Sequence, residues 1–258
     1  MLEDRFLPVE WRPKMRIAFI SDVHGHFQAL QAVLADIEKS HVQSVVCLGD
    51  VISLGLQPRE VIELLQQTEC RFIMGNHDEP FVDYAKMAML TVVAEDIYTL
   101  NKWTAGQVSE EDLAFVATFK DRIEIVDECG RRVLCFHGTP RCNHQGISPG
   151  TREDDVAAFL DGCAATVFVG GHTHQQMIRE WSGRLIVNPG SVGYVFNDQL
   201  TKRQPPLLRP WAEYGILDLS RAGLAFELKK VPFDIEAVRA VVATTDIPYR
   251  DWWVRQYA

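Results

Sequence analysis

At 258 residues, 47% hydrophobic and 24% charged, the chain can bury a sizeable core and has the make-up of an ordinary globular protein. Its formal charge of −9 sets the surface as a whole against nucleic acid, membrane headgroups and phosphate. An anionic substrate must therefore be drawn by local positive charge, for which bound metal ions are the obvious source.

Six cysteines occur without a CxxC pair, and Cys47 and Cys135 lie inside apolar runs, which points to free thiols rather than a disulfide framework. No uncharged apolar run approaches the roughly 20 residues of a membrane span. The charged, proline-interrupted first residues do not resemble a secretory signal, so the expected location is the cytoplasm.

Residues 1–14, broken by Pro8 and Pro13, read as an extension. A single domain is expected over 15–245, followed by a tail over 246–258. The run Arg16 to Ile20 reads as a buried strand. Phe27, Leu30, Val33, Leu34 and Ile37 then share one helical face. A second strand, Ser44 to Leu48, leads through Pro58 into a second helix, and a third strand covers Arg71 to Met74. This alternation predicts α/β structure with parallel strands, whose ends gather functional residues. Residues 79 to about 120 read as helical, with Ser109 and Asp112 as a capping box. Beyond them strands dominate. Hairpin turns are predicted at Cys129-Gly130 and Ser182-Gly183, and a final hairpin joins Tyr214–Leu219 to Leu224–Val231. An α/β half followed by a β-rich half suggests two packed sheets with helices outside.

Five of the eight histidines follow apolar, strand-like runs. The clusters are Asp22-Val23-His24, Gly49-Asp50, Gly75-Asn76-His77-Asp78, His137-Gly138 and Gly171-His172-Thr173-His174. A lone histidine at a strand end is usually a satisfied polar residue, but convergence of this many implies one shared site. Two aspartates, an asparagine amide and four imidazoles form an oxygen and nitrogen set without thiolate. It suits Mn²⁺, Fe, Co²⁺, Ni²⁺ or Zn²⁺. Seven donors are too many for one ion with open positions, and fit two ions sharing a carboxylate. Two such ions about 3.5–4 Å apart activate water and clamp the oxygens of an in-line displacement.

The series D-x-H, G-D, G-N-H-D, H-G and G-H-T-H, in this order, resembles the calcineurin-like metallophosphoesterases from Arg16 to about Asp234. The compact bacterial and archaeal phosphoesterases are the most similar group, sharing the run Asn188-Pro189-Gly190-Ser191-Val192-Gly193 and a C-terminal strand pair ending near Val231-Pro232. The resemblance implies a four-layer α/β/β/α sandwich of two mixed sheets flanked by helices. It implies that Asp22, His24, Asp50 and His174 hold one divalent ion, and Asp50, Asn76, His137 and His172 the other, with Asp50 bridging. His77 would stabilise the transition state or protonate the leaving oxygen, and Asp78 would orient it through the other ring nitrogen. Manganese is the expected metal, with Fe, Ni, Co and Zn as alternatives. The implied activity is hydrolysis of a small phosphate ester, with a phosphodiester or nucleotide favoured over a monoester by analogy.

Departures from the family pattern sharpen this reading. The loop from Val51 to Pro58 lacks the arginine with which protein Ser/Thr phosphatases grip phosphate, and Asp78 replaces their usual glutamate. A nuclease is disfavoured by the acidic charge and the missing basic stripe. A metal-free interaction scaffold is disfavoured because every ligand position is filled. His26 lies near the metals, caps the next helix or sits in solvent. Arg141 and His144 either contact substrate or belong to a surface loop. Trp252 and Trp253 are expected to pack on the domain or a partner rather than bind a base, and Asn188 to Gly193 to form a tight turn under the site.

Overall fold

The computed structural model describes residues 15–83, 85–88, 95–196 and 207–256. The expected extension over 1–14, part of the helical stretch after residue 79, and residues 204–206 of the proline-rich stretch lie outside the described residues.

Two five-stranded mixed sheets pack face to face. In the first, β1 (Met15–Ile20) pairs in parallel with β2 (Ser44–Cys47), which pairs in parallel with β3 (Cys70–Phe72). Helices α1 (Phe27–Lys39) and α2 (Pro58–Gln66) connect them. After α3 (Glu95–Ala105) and α4 (Glu110–Val116), the chain builds the second sheet. Its strands are β4 (Arg122–Val126), β5 (Arg132–Phe136), β6 (Val167–Val169), β7 (Met177–Trp181) and β8 (Arg184–Asn188), in the order β4-β5-β6-β8-β7. Helix α5 (Glu153–Leu160) covers its outer face. The last hairpin, β9 (Trp211–Ser220) with β10 (Gly223–Pro232), is followed by α6 (Ile235–Thr244) and α7 (Arg250–Gln256). The arrangement is the expected four-layer sandwich.

Strand alternation decides the layers. Ile17 and Phe19 of β1 point into the core between the sheets, with Val46, Leu217 and Leu219, and meet Val133, Cys135, Val167 and Val187 of the second sheet. Ala18 and Ile20 point the other way, onto Leu30, Val33 and Ile37 of α1 and Val61, Ile62 and Leu65 of α2. Central strands buried on both faces read as continuous apolar runs, which is why these were visible in sequence.

The division of the chain into halves does not map onto the sheets. The C-terminal hairpin returns to the first sheet, where β9 pairs antiparallel with β1. Strand β9 is buried on both faces, Leu217 and Leu219 toward the second sheet and Tyr214 and Ile216 toward the helices, so it needs an interior position. The edge of β1 opposite β2 supplies one.

Local signals act as expected. Ser109 accepts from the Asp112 amide while the Asp112 carboxylate accepts from the Ser109 amide, closing the box that starts α4. Ser182 and Gly183 both adopt positive φ, 49° and 70°, matching the twist of the β7–β8 hairpin.

Residues 246–256 are built into the same core. Ile247 and Trp253 belong to the cluster containing α1 and α2, and the Arg250 side chain donates to the Val242 and Ala243 carbonyls at the end of α6. Trp253 is only 2% exposed. Trp253→Ala is expected to cost about 3–5 kcal/mol, read as a lower denaturation midpoint at unchanged slope. A shift below about 1 kcal/mol would mean that α7 is held elsewhere. Among the described residues no helix is long and apolar enough to cross a membrane.

Candidate metal centre

Every singled-out cluster lies just beyond a strand: Asp22 and His24 after β1, Asp50 after β2, Asn76 to Asp78 after β3, His137 after β5, and His172 and His174 after β6. All of them reach one end of the sandwich, at the seam between the sheets. The first sheet supplies Asp22, His24, Asp50 and Asn76, and the second supplies the remaining three imidazoles.

The main chain is bent hard to achieve this. Asp22, His24, Asp50, His172 and His174 have φ of 53°, 48°, 56°, 67° and 55°. The left-handed region is uncommon for residues with a Cβ, and its concentration here marks a site whose surroundings hold the backbone in place. The approach of the loops is equally tight. A Cβ on Gly75 would lie 2.1 Å from Asp50 Oδ1 and 2.2 Å from the Asp50 amide nitrogen.

The donors fall into two groups, Asp22, His24 and His174, and Asp50, His137 and His172, with the candidate ligand atoms of each group within 4.8 Å of one another. Asp50 Oδ2 lies between them, 3.8 Å from His24 Nε2 and 3.3 Å from His137 Nε2. Asn76 Oδ1 sits 2.9 Å from His137 Nε2 and 2.8 Å from His172 Nδ1. The two sheets are tied at this point by the His172 amide, which donates to Asp22 Oδ2 at 3.0 Å.

The outer ring nitrogens show what the inner ones are. The Nδ1 atoms of His24, His137 and His174 donate to the carbonyls of Ser53, Leu48 and Tyr194, at 3.2, 2.8 and 2.8 Å. A carbonyl only accepts, so each Nδ1 carries a proton, and each ring in its neutral form turns an Nε2 lone pair inward. His24 Nε2 then faces His174 Nε2 at 3.2 Å, lone pair to lone pair. His137 Nε2 faces two further acceptors, Asn76 Oδ1 and Asp50 Oδ2. Asp22 Oδ1 is buried, 3.4 Å from His174 Nε2, with no hydrogen-bond partner among the described residues. Converging acceptors of this kind repel unless a cation lies among them, so the residues present fit two divalent metal sites.

Electrostatics separate the rings. Burial alone would raise the Asp22 carboxyl, but His174 and His137 outweigh it and bring it to about 2. Burial lowers His24 to about 3 and His172 to about 4, keeping these two rings neutral. His137, to about 9, and His174 shift upward instead, because Asp50 and Asp22 overcome burial and draw positive charge to the inward Nε2 atoms, as a proton or as a metal ion.

His77 stands apart from both groups. Its amide donates to Asp50 Oδ1 at 2.8 Å, and its ring, edge-on to His24 with centroids 5.5 Å apart, borders the open cleft. The ring has no hydrogen-bond partner among the described residues. Asp78 is placed differently from what the resemblance implies. Its fully buried carboxylate accepts from the amides of Val51, Ile52 and Gly75, at 2.7, 3.2 and 3.2 Å, and makes no hydrogen bond to the His77 ring among the described residues. It fastens the Asp50 loop to the Asn76 loop.

The remaining candidates resolve as well. His26 is the N-cap of α1, accepting from the Ala29 amide at 3.4 Å, and packs on Phe233. Arg141 turns to Asp161, donating to its carbonyl at 2.6 Å, and exposed His144 lies 3.6 Å from Glu79. Neither borders the cleft. The Asn188 to Gly193 turn does support the centre. Asn188 donates to the Gly171 carbonyl, and Ser191 Oγ donates to the Asp22 carbonyl while accepting from the Tyr194 amide. An aromatic layer behind the imidazoles escaped the sequence reading: Tyr194 stacks on His24 at 4.9 Å, and Phe196 on His174 at 5.1 Å.

Comparison with known proteins places this geometry in context. The calcineurin-like phosphoesterase superfamily domain matches residues 15–203. The uncharacterized protein MJ0912 of Methanocaldococcus jannaschii is 27% identical over 264 residues, covering 91% of this chain and 95% of that one. A metallophosphoesterase from Sphaerobacter thermophilus overlays with a TM-score of 0.68 at 24% identity, covering 94% of this chain and 98% of that one. The hypothetical protein PH1004 from Pyrococcus horikoshii OT3 overlays with a TM-score of 0.76 at 18% identity, with the same coverage of 94% and 98%. Both overlays show a shared fold.

Proposed function

The chain belongs to the calcineurin-like phosphoesterase superfamily, and on that premise we propose that it hydrolyses a small phosphate ester with the help of two divalent metal ions. The observation that carries this reading is the pair of donor groups meeting at Asp50, with ring nitrogens and carboxylate oxygens turned inward. Asp22, His24, Asp50 and His174 would hold one ion. Asp50, Asn76, His137 and His172 would hold the other.

When bound, the ions supply positive charge for the phosphoryl oxygens and lower the pKa of an attacking water. The chain supplies the rest. The carbonyls of Leu48, Ser53 and Tyr194 fix the ring tautomers and orientations. His77, facing the cleft, would give a proton to the departing ester oxygen as water oxygen bonds to phosphorus and the ester P–O bond breaks; burial lowers the pKa of its ring against the pull of Asp50, so the protonated ring gives up its proton readily. Asp78 holds the two loops that position Asp50 and His77. A diester or nucleotide is favoured over a bare monoester, because the cleft beside the centre, at 1460 Å³, is far larger than a phosphoryl group requires. The free cysteines fit work in a reducing compartment, the cytoplasm.

Hydrolysis is expected to require divalent metal, with Mn²⁺ among the best activators of this thiolate-free set. The test is to strip the protein, verify removal by elemental analysis, restore single metals and screen phosphodiesters, nucleotides and monoesters. Full activity in verified metal-free protein would overturn the reading.

A further inference from the structure

The cleft extends from the metal centre to α7, a helix beyond the residues that the superfamily domain matches. One wall is aromatic and starts at the centre itself. Phe196 lies over His174, and Tyr194 lies over His24 and meets Trp252 edge-on at 6.2 Å. Trp252 is half-buried, and its indole N–H has no hydrogen-bond partner among the described residues. Ile97 and Leu100 of α3 add apolar surface. Arg255, one turn beyond, also borders the cleft and has no ion-pair partner among the described residues. Arg250 is already engaged with the α6 carbonyls.

A phosphate held at the metals fills a small part of this space, and drug-sized ligands occupy roughly 300–1,000 Å³. An apolar aromatic wall with one free N–H and one free cation is poor at holding an alkyl alcohol or a peptide. It suits a flat, nitrogen-containing ring, which offers a face to stack and edge atoms to accept a hydrogen bond. We propose that Phe196 and Trp252 form a subsite for a planar heteroaromatic ring carried by the phosphate ester, a nucleobase or its chemical equivalent. This rests on the phosphoesterase reading and adds the substrate class. In this scheme α7 sets specificity, and Trp253 anchors it to the core.

The test uses two phosphodiesters that differ only in the base, adenosine 5′-(methyl phosphate) and ribose 5-(methyl phosphate), with Mn²⁺-loaded full-length protein. Stacking on an aromatic side chain corresponds to about 5- to 150-fold, so kcat/KM should favour the base-bearing ester by that range. Trp252→Leu and Phe196→Leu should each reduce the ratio at least about fivefold, while Trp252→Tyr, which keeps a ring, should retain most of it. Fluorescence titration of the same proteins with adenosine 5′-monophosphate and ribose 5-phosphate gives an independent readout. A wild-type ratio near one, or a preference that survives both leucine variants, overturns the subsite. If neither diester is hydrolysed but the adenosine compound still binds more tightly in a Trp252-dependent way, the subsite stands and the phosphodiesterase reading falls.

Discussion

Asp50→Asn is expected to remove activity more completely than substitution of any single terminal ligand. Among the described residues Asp50 is the carboxylate that faces both donor groups, with His24 on one side and His137 on the other. Burial pushes its carboxyl up, but His137, His77 and His24 outweigh this and hold it well below the usual carboxylate range, so it is anionic at neutral pH. Asparagine has nearly the same shape and can still accept from the His77 amide through its carbonyl oxygen. The fold should therefore survive while the shared charge is lost. The deficit should exceed the roughly 10–100-fold that follows loss of a group outside the ligand set, and metal analysis should show both sites depleted. Two tightly held ions with near-normal turnover would show that Asp50 does not bridge.

His77→Asn separates chemistry from metal binding. All seven donors remain, so two ions should stay bound, yet turnover should fall by about 10²–10⁴-fold, the range for losing a positioned acid. The loss should track the leaving group. Nitrophenolate departs without a proton and should suffer least, whereas an alkyl or sugar alkoxide should suffer most. A drop to one bound ion would make His77 a ligand. An equal loss for good and poor leaving groups would move its role to stabilising charge on the phosphoryl oxygens.

Much of this was legible before any coordinates. Asp22, His24, Asp50, Asn76, His137, His172 and His174 each stand where an apolar run stops, and strand ends on one edge of the sandwich converge. What the sequence hid has physical reasons. The carbonyls of Leu48, Ser53 and Tyr194 that set the tautomers are main-chain atoms, with no side-chain signature. Asp78 follows His77 directly, which invites pairing them. Yet the sharp bend after β3 sends its carboxylate to the amides of residues 51, 52 and 75, a long-range arrangement that adjacency cannot reveal. The placement of β9 beside β1 depended on which sheet had an open edge. The α7 tryptophans fall in a stretch too short for periodicity, and although both border the cleft, only packing separates buried Trp253 from half-buried Trp252.

The seam position of the centre bears on how the protein is made. Chains emerge from the ribosome N-terminus first, and Asp22, His24, Asp50 and Asn76 are synthesised long before His137, His172 and His174. Neither donor group is complete on one sheet: His174 must join Asp22 and His24, and His137 and His172 must join Asp50. A nascent chain holding only the early residues has no finished chelate to offer. Ion capture is thus expected to follow docking of the two sheets, with the metal chosen by the rigid geometry of the completed sandwich rather than by whichever ion binds a flexible chain most avidly.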